Sequence, residues 1–125
     1  TYPADVVNPL AVEALAAMHI DISKAVPKSL DVYLGDPWDF IITLCDDAKE
    51  ACPVFPGQAI TAHWGFEDPA TFEGTDEQKQ RFYRDTAMNI EWRIRLLLDL
   101  PDEKLDELEA EHTIRHIGTQ SRVNA

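Results

Sequence analysis

The order helix, strand, loop, strand, helix, helix along these 125 residues predicts an α/β domain. Three observations carry that expectation. Apolar residues recur at helical spacing near both ends of the chain. The run Phe40–Leu44 is unbrokenly apolar or β-branched, as suits a strand covered on both faces in a parallel sheet. The composition, 45% hydrophobic and 27% charged, is that of an ordinary globular domain. A chain of this length forms one domain, residues 1–125, and buries roughly two thirds of its unfolded surface without covalent staples.

Residues 1–7 have no periodicity and read as a lead-in. In "NPLAVEALAAMHI", Asn8 can cap a helix and Pro9 suits its first position, while Leu10, Val12, Leu15, Ala16 and Ile20 form an apolar stripe. "DISKAVPKSLDVYLGDP" reads as a loop with a short turn around Ser29 to Tyr33. The strongest strand signal is "WDFIITLC", and a second short strand lies in "AITAHWGF". Between them, the prolines and glycine of "PVFPG" forbid a long helix. A long amphipathic helix runs from Thr75 to Leu100. Thr75 and Gln78 fit a capping box, and Phe82, Thr86, Met88, Ile90, Ile94, Leu97 and Leu98 make a broad buried stripe. Pro101 ends it. A last helix, Asp102–Ile117, stops at Gly118 and forms, with the tail, a C-terminal extension over 102–125. Two strands are too little sheet for these helices, so the expectation is an incomplete record of a longer domain.

Acidic side chains outnumber basic ones 23 to 11, giving a net charge of −12. Such a surface repels phosphate backbones and anionic lipid, so neither nucleic acid nor membrane is an expected partner. Two cysteines without secretory features predict a reducing compartment, the cytoplasm. Those cysteines, Cys45 and Cys52, are seven positions apart. Across a straight helix that is about 10.5 Å, whereas a disulfide tolerates a Cα separation of about 4.4–6.8 Å. The pair can therefore bond only if "DDAKEA" unwinds or is already a loop. Spacing alone leaves two readings open: inert core thiols, or a redox switch.

The stretches "NPLAVEAL…HIDIS", "FIITLCDDAKEACPVFP" and "AHWGFEDPA" resemble, in order and spacing, the thioredoxin-coupled arsenate reductases. The resemblance covers roughly Asn8 to Leu100, and "LPDEKLDELEAEHTIRHIG" is similar to the tail of the longer bacterial members. It implies the low-molecular-weight protein tyrosine phosphatase fold, a three-layer α/β arrangement around a four-stranded parallel sheet. It also implies roles. In the family, a first cysteine in a C-x5-R loop attacks arsenate. A second, matched by Cys45, attacks the first and arsenite leaves. A third, matched by Cys52, attacks that disulfide, and thioredoxin reduces the resulting Cys45–Cys52 bond. Asp68, before Pro69, matches the family's general acid. Thioredoxin is the implied external reductant, with no bound cofactor and no metal.

No C-x5-R occurs in these 125 residues. The resemblance places that loop ahead of the "NPLAVEAL" helix, so the expectation is that it belongs to an upstream segment and that this chain alone is inactive. Two other functions stay open on this ground: a non-catalytic redox sensor or binding module of the same fold, and a phosphotyrosine phosphatase. Phosphoester hydrolysis moves no electrons, so the two extra cysteines disfavour the latter. Some members hold potassium through a Thr-x-Asp after the "DIS" motif; Val26 and Lys28 stand there and offer no anionic ligand. His112 and His116, four apart, could chelate zinc, but without a third ligand they read as solvated residues near a helix end. His63 and Trp64 are expected to pack beside the cysteine loop without a chemical role, and Trp38 and Trp92 to be core or rim residues.

Overall fold

A computed structural model of the chain describes residues 4–44, 59–100 and 113–119. Cys45, Cys52, His112 and most of the expected last helix lie outside these residues.

Helix α1, Pro9–Ala16, starts where its signals place it: the Asn8 side chain accepts the Leu10 amide at 2.9 Å and Pro9 fills the first turn. It is shorter than its apolar stripe predicts. His19 adopts the left-handed region at φ 62°, and the Ile20 and His19 amides fold back onto the Leu15 and Ala16 carbonyls. This is a Schellman-type ending, which satisfies carbonyls that the stopped helix leaves open. The chain reverses there, and Ile20 leaves the stripe to stand 45% exposed. A 3-10 turn, Leu30–Tyr33, follows; Ser29 caps it by accepting the Asp31 amide.

Strands β1 (Phe40–Thr43) and β2 (Ile60–His63) pair in parallel, Phe40 opposite Ile60 through Thr43 opposite His63. Because side chains alternate along a strand, Phe40, Ile42 and Leu44 share a face with Ile60, Ala62 and Trp64. That face carries the core, closed by Ile114, which is fully buried, and Ile117. Among the described residues the other face is thinly covered: Thr61 is exposed and Ile41 lines a small apolar hollow with Tyr33 and Trp38. In β1 the residues of both faces are half-buried.

Helix α2, Asp76–Leu98, opens with both bonds of the capping box between Thr75 and Gln78. Thr75→Ala is expected to cost about 1 kcal/mol, read as a lower urea midpoint at unchanged slope. The helix stops two residues short of Leu100. Its buried stripe is also narrower than its apolar residues suggest: Met88, Ile94 and Leu98 are exposed, Leu98 by 76%. Met88 falls on the opposite side from Tyr83 and Ile90 at 100° per residue. Ile94 and Leu98 lie one and two turns past Ile90, beyond the part of α2 that faces α1 across a cavity at Tyr83–Ile90. Residues 113–117 form a final helical segment that packs on the sheet through Ile114 and Ile117.

Candidate active site

In a parallel pair both strands end on the same side, and ligand crevices of α/β sheets open at those carboxyl ends. Here Leu44 follows β1, and Phe66–Pro69 follow β2. They meet α1 and α2 around a cavity of about 410 Å³, lined among others by Leu15, Leu44, Phe66, Asp68, Tyr83 and Ile90. Leu44 is the immediate neighbour of Cys45 in sequence.

Asp68 takes two parts in this arrangement. As a turn residue, its carboxylate accepts the Ala70 amide at 2.9 Å and caps the 3-10 turn Pro69–Thr71, while its carbonyl accepts the Thr71 hydroxyl at 2.8 Å. As an exposed acid, it stands at the rim of the cavity. The local turn and the rim position are compatible because an Asx cap fixes the side chain without burying it.

Two residues of the site carried no expectation from sequence. Tyr83 is buried in the cavity wall, and burial, then the Asp68 charge, raises its hydroxyl above the ordinary tyrosine value. A folded state that holds the phenol proton more tightly than the unfolded chain loses stability as pH rises past about 10. Tyr83→Phe is accordingly expected to flatten the decline in urea midpoint above pH 10 and to leave it unchanged at neutral pH. Arg93 is buried on α2, and burial draws its guanidinium below the ordinary arginine value. It donates to the Trp64 carbonyl at 2.8 Å and lies 4.0 Å from the centre of the Phe66 ring. A signal for both existed: at helical spacing, positions 83, 86, 90, 93 and 97 share one stripe, so Arg93 stands among residues that face inward.

Trp64 belongs to the core. Its indole donates to the Ile114 carbonyl at 3.1 Å, and its ring lies so close to Gly118 that a Cβ there would come within 2.6 Å of it. The cysteine loop it was expected to flank lies outside the described residues. His63 shares a 2.8 Å hydrogen bond with the Thr43 hydroxyl across the two strands. Trp38 is a rim residue, edge-on to Tyr33 and donating to its carbonyl. Val26, Lys28 and His116 are exposed. Among the described residues no three acidic, histidine or cysteine side chains are grouped to hold a metal, and no helix is long and apolar enough to cross a membrane.

The chain, with its parallel strand pair and the Asp-Pro turn after β2, belongs to a phosphatase family. The family model for low molecular weight phosphotyrosine protein phosphatases matches residues 1–113. Among curated relatives, the arsenate reductases of Halalkalibacterium halodurans and Oceanobacillus iheyensis are 42% and 38% identical over 89 residues, covering 71% of this chain and 64% of each relative. The arsenate reductase of Bacillus subtilis is 40% identical over 77 residues, 62% of this chain and 55% of that protein. The chain thus spans less than two thirds of the length of these relatives.

Proposed function

We propose that this chain serves an arsenate reductase, with Cys45 and Cys52 as successive thiols of a relay, Asp68 as the acid, thioredoxin as the reductant and the cytoplasm as its site. The observation that supports the reading most is the cavity lined by both Asp68 and Leu44, the residue that precedes Cys45 in sequence. Relatives named for the same activity support it.

A primary cysteine thiolate, outside these 125 residues, displaces an oxygen from arsenate; Asp68 gives the departing oxygen its proton. The Cys45 thiolate attacks the sulfur bound to arsenic. A disulfide forms, the sulfur–arsenic pair stays on arsenic, and arsenic leaves two electrons richer as arsenite. The Cys52 thiolate then attacks Cys45, freeing the primary thiolate and leaving Cys45–Cys52. A dithiol of the thioredoxin type reduces that bond. Each exchange is an in-line attack of thiolate on disulfide, so each needs two sulfurs brought to contact.

The test is arsenite release against phosphate release, measured on the native-length protein with a thioredoxin system. Arsenite release that stops without thioredoxin is the expected result. Phosphoester hydrolysis without arsenite would replace this reading with a phosphatase, and neither product would favour a redox sensor or binding module.

A further inference from the structure

The segment that carries Asp68 leaves the sheet through a sharp turn. The Trp64 amide still pairs with the Thr43 carbonyl and the Phe66 amide with the Leu44 carbonyl, so the ladder runs on past β2. Between them Gly65 sits at φ +65°, in the left-handed region that costs glycine little. The turn swings the Trp64 carbonyl towards α2 and presents the Phe66 ring to the same helix. Arg93 meets both: one guanidinium nitrogen bonds the carbonyl and the planar group covers the ring. On the far side, the Trp64 indole is tied to Ile114. Asp68 is two residues beyond Phe66.

We infer that Arg93 is a positioning residue: it clamps the Trp64–Phe66 turn from α2 and thereby sets where Asp68 stands at the cavity rim. It acts through backbone and ring, without contact to substrate. The functional weight of this clamp rests on the reading of Asp68 as the acid; its mechanical part does not. A buried arginine with a fixed fork suits the task, because the fork bonds a carbonyl in its plane while its face stacks on an aromatic ring. A lysine keeps the charge and one donor but lacks the planar face.

Backbone order parameters from nitrogen relaxation on the native-length protein test it. In Arg93→Met, which keeps the apolar stem and removes the donors, values over Gly65–Asp68 are expected to fall from about 0.85 to below about 0.6. Those of Gln78–Ile90 should stay at the rigid value, and Arg93→Lys should recover part of the loss in the turn. A role in overall stability alone would lower the melting temperature without loosening this turn selectively. Should Arg93→Met fail to fold, Phe66→Leu removes only the ring beneath the guanidinium and is expected to lower the same four values while sparing α2. A turn that stays rigid in whichever variant folds overturns the clamp. Neither result depends on turnover, so a failed arsenite assay and a failed clamp are told apart.

Discussion

Trp64→Ala is expected to remove about 3–5 kcal/mol of folding stability, the range for truncating a large buried aromatic residue. Few domains have more than about 5–15 kcal/mol in total, so this one change brings the chain near its unfolding threshold. Trp64 is only 4% exposed and touches the core from three directions. Its ring fills the space against Gly118, its indole N–H satisfies the Ile114 carbonyl, and its own carbonyl receives Arg93. Alanine leaves a void that the sheet and the 113–117 helix cannot both close, and it strands a buried carbonyl. Trp64→Phe separates the two effects. It keeps most of the apolar volume and loses the indole donor, so about 1–3 kcal/mol should go. Urea unfolding followed by circular dichroism reads both. A loss below about 1 kcal/mol for alanine would mean that the 113–117 segment does not dock through this residue.

The second large effect concerns chemistry. With Cys52→Ser, the proposed relay halts after arsenite leaves, because a serine hydroxyl cannot attack the disulfide that holds Cys45. The native-length protein should then release at most one arsenite per molecule, whatever the thioredoxin concentration, and accumulate a disulfide that includes Cys45. Peptide mapping without reductant identifies it. Cys45→Ser should instead stop the relay one step earlier, with no disulfide at that position and no arsenite. Normal cycling of Cys52→Ser would remove Cys52 from the role assigned to it.

Local signals along the chain were readable because their physics is local. Asn8 with Pro9 and Thr75 with Gln78 each satisfy backbone groups within three residues and cap the helices they were expected to cap, and the turn expected around Ser29 to Tyr33 forms with Ser29 as its cap. The run FIIT became a parallel strand for the same reason: its branched side chains suit a pleated surface. What failed were inferences about who lies opposite. The stripe to Ile20 looked continuous, yet the reversal at His19 depends on a left-handed backbone that histidine signals only weakly. Met88, Ile94 and Leu98 are apolar enough to be buried and are not, since burial needs a neighbour that one-dimensional periodicity cannot supply. The converse holds at the site. Asp68 is singled out by its Asp-Pro motif and lines the cavity, whereas Arg93 resembles the other charges of "EWRIRLLL" until Trp64 and Phe66, 29 and 27 positions earlier in the sequence, are folded against it.

Arg93 and Tyr83 change what the Asp-Pro motif means physically. The carboxyl is held by its own turn, the turn is held by α2, and the cavity beneath it has a buried phenol in its wall. A proton donor needs such support, because a misplacement of an ångström is enough to lose much of its rate advantage. In the proposed reaction the acid is thus prepared by residues far from it in sequence, while the thiols are the proposed source of the electrons.

Mild oxidation of the reduced 125-residue chain, followed by alkylation and peptide mapping, tests the relay most directly. One intramolecular bond between Cys45 and Cys52 is expected, formed at dilute protein concentration and reopened by reduced thioredoxin. Two thiols that both remain alkylatable after strong oxidant would contradict it.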